Sequence, residues 1–153
     1  MQIIDSNTAT IERDGDVARP LNEDGDRVFG PPVQPEIPMS ALITDEQRFL
    51  MLANGRKFAQ DADFNPAPVV KLFTPDADAT WLLTAIDPDD HDLAYGLCDL
   101  GMGMAELGWV SLQELASVRG KLGLPIERDL LFRAEKRLIA YAREAWRAGR
   151  IVV

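Results

Sequence analysis

The 153-residue sequence is poor in the residues that build disulfides, metal centres and membrane spans. It has one cysteine and one histidine, which excludes an internal disulfide framework and the usual four-ligand Cys/His zinc site. No run approaches ~18 consecutive apolar residues, and residues 1–10 lack the basic start and apolar stretch of a signal peptide. These absences predict a soluble, cytoplasmic protein that does not enter a membrane.

Basic residues are scarce relative to acidic ones. Sixteen Lys and Arg stand against twenty-five Asp and Glu, so the net charge is −9. A protein that coats nucleic acid by bulk positive charge is therefore disfavoured. The length suits one domain with a sizeable core.

The first quarter of the chain differs in composition from the rest. Residues 1–40 carry eight acids, three bases and five prolines, and their apolar residues follow no regular period. Such a stretch cannot bury enough apolar surface to offset its ordering entropy. We expect a flexible acidic leader over residues 1–40, extended from Pro31 to Pro38, that either solubilises the protein or orders on a partner. We expect a single domain over residues 41–153.

Helix signals occur at three places in that domain. Thr44 with Gln47 forms a capping box, and the helix it opens is expected to end at Asn54-Gly55. Ser111 with Glu114 forms a second capping box for a short helix. The last helix has an apolar stripe and ends at a glycine. The stripe consists of Leu138, Ile139, Ala142, Ala145 and Trp146.

Strand signals lie between these helices. The predicted strands are Val69–Phe73, Thr80–Ile86, Leu93–Cys98, Glu106–Val110 and Ile126–Phe132. The polar run Asp87–Asp92 predicts a turn that joins two of them into a hairpin. The fold class expected is α+β, with a mainly antiparallel sheet and packed helices.

Charge is sorted along the domain. Residues 61–114 hold eleven acids and one base, a net of −10, whereas residues 119–150 hold nine bases and four acids, a net of +5. Two binding patches of opposite sign, or two faces that partly neutralise each other, would both explain this pattern. The charges of Glu127, Arg128 and Asp129 beside apolar neighbours indicate an internal ion pair or a partner-facing cluster.

Each candidate catalytic or cofactor motif in the sequence lacks a required residue or has the wrong spacing. His91 and Cys98 would lie ~23 Å apart on one strand, too far for a dyad. A calcium loop that starts at Asp87 would need Gly where Asp92 stands. The Gly101-Met-Gly103 run has Glu106 where a dinucleotide fingerprint needs its third Gly. No cofactor, metal site or catalytic residue is therefore predicted.

Four blocks resemble a known family when taken in order. They are Pro68–Pro75, Ala79–Thr84, Gly96–Gly103 with Glu106–Gly108, and Gly123–Asp129. The stretch from Ala41 to Ile151 resembles the uncharacterised domain-of-unknown-function family 2958. The resemblance implies an accessory protein of plasmids, phages and other mobile elements, and it supplies no catalytic residues.

Three functions follow as hypotheses. The preferred one is a non-enzymatic accessory protein of a mobile element that acts in counter-defence and binds a host nucleic-acid-handling protein through an acidic surface. The acidic candidates are Asp87, Asp89, Asp90, Asp92, Asp99 and Glu106. The alternative is direct nucleic-acid binding through the last helix. Its basic candidates are Lys136, Arg137, Arg143, Arg147 and Arg150. A third possibility is a small metal-dependent hydrolase that uses Asp99, Glu106 or the Asp87–Asp92 turn.

Overall fold

A computed structural model describes the backbone of residues 11–14 and 17–20, and residues 37–153 completely. The chain divides into two units, Met1–Pro35 and Glu36–Val153. In the first unit, strand β1 (Ile11–Asp14) pairs antiparallel with β2 (Val17–Pro20), where the sequence predicted no regular element. The rest of the predicted flexible leader, up to residue 36, lies outside the described residues.

A five-stranded antiparallel sheet forms the centre of the second unit. Its strands are β3 (Val70–Phe73), β4 (Thr80–Asp87), β5 (Asp90–Asp99), β6 (Glu106–Ser111) and β7 (Glu127–Arg128). They are ordered β6-β5-β4-β3-β7, and every pairing is antiparallel. The α+β class with a mainly antiparallel sheet is thus confirmed.

Two strand boundaries differ from those expected. The predicted strand Ile126–Phe132 shrinks to the two residues of β7, because the Asp129 carboxylate accepts the Leu131 N–H at 2.9 Å and turns the chain. The turn predicted over Asp87–Asp92 contracts to Pro88 and Asp89. As a result His91 stands exposed on β5, seven residues from Cys98 on the same strand.

Four helices accompany the sheet: α1 (Met39–Leu42), α2 (Asp45–Gln60), α3 (Leu112–Ser117) and α4 (Leu138–Ala148). Both predicted capping residues act as expected, since the Thr44 and Ser111 hydroxyls accept the backbone N–H groups of Gln47 and Glu114. Gly149 ends α4 with φ 78°, a left-handed conformation that glycine adopts without strain. None of the helices in the described part of the chain is long and apolar enough to cross a membrane.

The predicted end of α2 at Asn54-Gly55 is wrong, because the helix continues to Gln60. These two residues instead attach α2 to the sheet. Asn54 Nδ2 donates to the Thr84 carbonyl at 2.8 Å, and a Cβ on Gly55 would come within 1.8 Å of the Ile86 carbonyl oxygen. The pair is therefore a helix–strand contact, and the missing side chain of Gly55 permits the close approach.

Apolar side chains fill both faces of the sheet. On one face, buried residues of β3, β4 and β5 pack against α1, α2 and α3. On the other face, Leu82 and Leu97 pack against Leu138, Tyr141 and the alanines of α4. Within the described domain, α4 is therefore the helix whose buried residues form this second core, and its opposite face is exposed to solvent.

Candidate interaction surfaces

The six acidic candidates do not form one surface. Asp87, Asp89, Asp90 and Asp92 lie at the β4–β5 turn, whereas Asp99 and Glu106 lie at the other end of β5. The nine-residue step from Asp90 to Asp99 spans ~30 Å of strand. The expected acidic surface is therefore split into a turn cluster and two distant residues.

Asp99 is an internal residue of the fold. It is 2% exposed, and its two carboxylate oxygens accept the backbone N–H groups of Gly101 and Ile151 at 2.8 and 2.9 Å. These bonds fix the β5–β6 connection and the segment that follows α4. Asp99 consequently offers no carboxylate to an external partner.

Asp92 is likewise occupied inside the fold. Its carboxylate accepts the Ser111 hydroxyl at 2.5 Å and the Gln113 N–H at 2.9 Å, at the start of α3. Negative charge at a helix N-terminus is favourable, so this residue stabilises α3. The exposed acids of the turn cluster are Asp89 and Asp90.

Glu106 is exposed but faces away from α4. In the β5–β6 register it lies opposite Cys98, and cross-strand partners share a face of the sheet. Burial raises the pKa of the Cys98 thiol to about 11, and the charge of Glu106 contributes to this increase. Glu106 therefore does not neutralise the basic helix.

The carboxylates named in the hydrolase hypothesis lie in two places. Asp99 and Glu106 are near one end of β5, where the Asp99 carboxylate is engaged by backbone N–H groups, and the Asp87–Asp92 turn is at the other end. Among the residues that the structure describes, no three His, Cys, Asp or Glu side chains are grouped as metal ligands. These positions do not favour the hydrolase hypothesis, which stays a prediction.

Two of the five basic candidates are also engaged within the fold. Lys136 forms an ion pair with Glu144 and lies 4.9 Å from the centre of the Tyr141 ring. Arg137 Nη1 donates to the Asn65 carbonyl at 3.1 Å, just before α4 begins. Both side chains stabilise the placement of α4.

The other three basic candidates remain outside. Arg143, Arg147 and Arg150 are exposed, and no carboxylate of the described residues forms a salt bridge with them. Arg143 and Arg147 lie one helical turn apart, and Arg150 follows the glycine cap. The C-terminal half of α4 thus presents uncompensated positive charge.

Trp146 lies among these arginines, three residues after Arg143. The sequence placed it in the buried stripe of α4, but it is 55% exposed, and Tyr141 is buried instead. Its indole Nε1 donates to the Ala105 carbonyl at 2.8 Å, which fixes the ring against the segment before β6. We call Arg143, Trp146, Arg147 and Arg150 the Arg–Trp surface.

A polar cleft of about 560 Å³ adjoins the Arg–Trp surface at Arg150. Lys71 and Thr80 line it from the sheet, and Asp78 adds an acidic side chain, whereas the Asp99 carboxylate is already bonded to backbone N–H groups. Lys71 is already paired with Asp129 at 3.2 Å, the internal ion pair expected near Glu127. With its charges balanced in this way, the cleft extends the Arg–Trp surface but has no strong charge of its own.

Apolar side chains are exposed beside Trp146. Leu100, Met102 and Met104 of the β5–β6 connection are 57%, 75% and 72% exposed. Contiguous exposed apolar groups mark contact sites in many soluble proteins. Neither this apolar segment nor the exposure of Trp146 was predicted from the sequence. Periodicity alone does not reveal which edge of a helix its neighbours leave uncovered.

Comparison with known proteins identifies one family. A family model described as "Protein of unknown function (DUF2958)" matches residues 42–152. No curated protein and no solved structure matches the chain. The match covers the sheet from β3 to β7 and three of the four helices completely. Because the function of this family is unknown, the function of the chain has to be inferred from its own surfaces.

Proposed function

Since the chain belongs to the DUF2958 family of unknown function, we propose its role from its own geometry: it binds single-stranded nucleic acid through the Arg–Trp surface. The observation that carries the proposal is the exposed, hydrogen-bonded Trp146 among three arginines without acidic partners. The charge pattern of the sequence favoured an acidic contact surface instead, but the structure separates the acidic candidates into two groups, and for this reason we prefer the basic surface.

The chemistry of this surface suits an unpaired strand. Arginine fork geometry matches phosphate oxygens, and an exposed indole offers a face on which a base can stack. Bases in a duplex are already stacked on each other and present only their edges in the grooves. A single strand therefore uses both kinds of group, whereas a duplex would use the arginines alone.

The net charge of −9 does not abolish local attraction. The exposed acids of the β4–β5 turn lie ~30 Å from the Asp99 end of β5, and Ile151 beside α4 is bonded at that end. At ~0.1 M salt the Debye length is about 10 Å, so these acids are largely screened from the Arg–Trp surface. Binding should consequently be short-ranged and steeply salt-dependent.

Fluorescence anisotropy with labelled 12-nucleotide DNA, single- and double-stranded, tests the proposal. The full chain should bind the single strand more tightly. The double variant Arg143→Glu/Arg147→Glu should lose most of this affinity and lower the slope of log K against log salt by about 1.4, or ~0.7 per phosphate contact. Trp146→Ala should weaken binding by roughly tenfold or more through lost stacking.

Arg56→Glu is the matched control, because Arg56 is an exposed base on α2, outside the Arg–Trp surface. It should bind nearly as well as the unaltered chain. Equal loss in Arg56→Glu and in the Arg143→Glu/Arg147→Glu variant would show only a general charge effect and would contradict the proposed site. Absence of single-strand binding at ~50 mM salt would overturn the function itself.

A protein partner is the second candidate function. The exposed Leu100, Met102 and Met104 favour it, together with Asp89 and Asp90 at the β4–β5 turn. In this case the chain would be the mobile-element accessory protein that the family resemblance implies, and it would block a host nucleic-acid-handling protein.

Affinity capture from a bacterial lysate at low and high salt separates the two candidate functions. An acid-dependent partner should be lost at high salt and in Asp89→Asn/Asp90→Asn, but kept by Arg143→Glu/Arg147→Glu. Capture that depends neither on the salt concentration nor on the Asp89→Asn/Asp90→Asn change would contradict the acidic contact surface.

A further inference from the structure

A small cavity opens at the other end of the exposed face of α4. It has a volume of about 230 Å³ and lies between the end of α2, the segment that follows α2, and the start of α4. Its size is below the ~300–1,000 Å³ of sites for drug-sized ligands, which suits one flat ring system. Three aromatic side chains line it, namely Phe58, Phe64 and Tyr95.

The aromatic wall of the cavity is fixed in place by its neighbours. The rings of Phe58 and Tyr95 are stacked with their centres 5.1 Å apart, and Trp109 packs against Tyr95 at the same distance. Thr84 and Ala85, where the β4–β5 register shifts, are buried and line the cavity from the sheet. A planar ring that enters here therefore meets an ordered surface and displaces no core side chain.

The cavity and the Arg–Trp surface are continuous along α4. Ile139 lines the cavity, and Ile139, Arg143 and Trp146 share one face of α4 because they are four and three residues apart. From Ile139 to Trp146 the helix rises ~10 Å. A single-stranded nucleic acid that contacts the arginines therefore needs to extend only this ~10 Å along α4 to reach the cavity.

Charged groups around the mouth of the cavity fit a nucleotide. Lys57 Nζ lies 5.6 Å from the centre of the Phe64 ring, and Arg137 is bonded to the Asn65 carbonyl, so two cations flank the opening. Asp63 also lines the cavity. Its carboxylate is only an acceptor, so an unpaired base can give it either an exocyclic amino group or a ring N–H.

We infer that this cavity receives one base of the bound strand and that Asp63 selects a base with an exocyclic amino group. The inference rests on the proposed function, since the Arg–Trp surface supplies the rest of the contact. Thymine has no exocyclic amino group, and its ring N–H lies between two carbonyl oxygens that repel a carboxylate. Cytosine has a pyrimidine ring of the same size and does carry an exocyclic amino group. Discrimination between these two bases therefore isolates the contribution of Asp63.

The test compares 12-nucleotide strands of deoxycytidine and of thymidine at pH 7.5 by fluorescence anisotropy. The full chain should bind the cytosine strand about fivefold more tightly, the lower end of the discrimination that a specific base contact gives. Asp63→Asn should reduce this preference to near unity. Asp89→Asn carries the same charge change at the β4–β5 turn, and it should keep the preference.

Ile139→Phe narrows the mouth of the cavity without altering any charge. It should also remove the preference, while the affinity for the thymidine strand stays close to that of the unaltered chain. Thermal melting of each variant identifies any loss of folding. Asp63 is exposed, and the hydrogen bond here belongs to its backbone N–H, which Asp63→Asn retains.

The outcomes distinguish a failure of the base-binding cavity from a failure of the proposed single-strand binding by the Arg–Trp surface. Equal binding of both strands by the unaltered chain, or an undiminished preference in Asp63→Asn, overturns the base-binding cavity and leaves the Arg–Trp surface standing. Failure of both strands to bind overturns the proposed function and this inference together. A preference that disappears in Asp63→Asn and Ile139→Phe, but persists in Asp89→Asn, supports the cavity.

Discussion

The acidic segment, residues 61–114, differs from helix α4 in what its charged side chains contact. In the acidic segment, Asp76, Asp92 and Asp99 each accept backbone N–H groups from distant parts of the chain. On α4, Arg143 and Arg147 have no acidic partner among the described residues. Part of the negative charge in this region of the sequence is thus engaged in structural hydrogen bonds, whereas the arginines of α4 remain accessible.

Asp76 illustrates the structural use of carboxylates. Its Oδ2 atom accepts the Leu122 N–H at 2.6 Å, which connects the β3–β4 turn to the segment between α3 and β7. A Cβ on Gly120 would lie within 1.7 Å of the Asp76 carboxylate, so the two chain segments are in close contact. The negative charge of this residue serves the fold and adds little to any acidic surface.

The largest expected effect comes from Asp99→Ala. The change leaves the buried N–H group of Ile151 and the partly buried N–H group of Gly101 without their acceptor. Because each unsatisfied buried group costs about 1–3 kcal/mol, the free energy of unfolding should fall by about 3 kcal/mol. Urea denaturation measures the loss. Arg143→Ala should change the free energy of unfolding by less than about 0.5 kcal/mol. Similar losses in the two variants would contradict the distinction between structural acids and exposed arginines.

Alkylation of Cys98 tests the face to which Glu106 belongs. With its pKa raised to about 11 by burial and by Glu106, the thiol is scarcely ionised at pH 8. Its reaction with iodoacetamide should be roughly 200-fold slower than that of an unperturbed thiol with pKa ~8.5.

Glu106→Gln should lower the pKa of Cys98 and speed the reaction, and Glu114→Gln should not. Fast alkylation in the folded protein would mean that Cys98 is not buried as described. An unchanged rate in Glu106→Gln would place the Glu106 carboxylate elsewhere, within reach of the basic helix.

Asp92→Ala should have a smaller effect than Asp99→Ala, because Asp92 acts at the end of one short helix. Loss of its bonds to Ser111 and Gln113 should lower the free energy of unfolding by about 1 kcal/mol. Asp89→Ala is the matched comparison at the same turn and should be nearly neutral. Thermal melting distinguishes them. Equal destabilisation by both changes would refute the division of the turn into structural and exposed acids.

The smallest expected effect is the pH dependence due to Asp129. The Leu131 N–H and then the Lys71 ammonium lower the pKa of this carboxyl below its ordinary value. A lowered folded-state pKa stabilises the protein above the ordinary pKa, and this stabilisation is lost as the pH falls through the lowered value.

The free energies of unfolding of the unaltered chain and of Asp129→Asn should therefore differ slightly at pH 7, by under about 1 kcal/mol, and converge as the pH falls through the lowered pKa. Denaturation curves over a series of decreasing pH values measure this convergence. A difference that grows as the pH falls would reverse the assigned sign.

Much of the fold follows from local sequence signals. The capping box at Thr44, the hydroxyl cap at Ser111 and the β4–β5 hairpin are encoded within a few residues, and the structure confirms them. At Ser111 the reciprocal bond of the expected capping box, from the Glu114 side chain, is absent from the described contacts. Asn54-Gly55 shows the limit of such signals. The same dipeptide that ends many helices here contacts β4, thirty residues away. Tertiary contact overrides the local preference, and no local pattern reveals it.

Less of the candidate site than of the fold could be predicted from the sequence. The basic residues of α4 could be identified, but the burial of Tyr141 in place of Trp146 depends on how the helix is rotated on the sheet. The role of Asp99 depends on an N–H group 52 residues further along the chain. The cavity beside Ile139 joins α2, β4, β5 and α4, so no single stretch of sequence indicates it.

The most direct test of the central claim is an NMR titration of the ¹⁵N-labelled full chain with the 12-nucleotide cytosine strand at ~50 mM salt. If α4 is the contact surface, the indole Nε1–H of Trp146 and the amides of Arg143, Arg147 and Arg150 shift first and furthest. Shifts confined to residues 87–92, or no shift at the Trp146 indole, would contradict it.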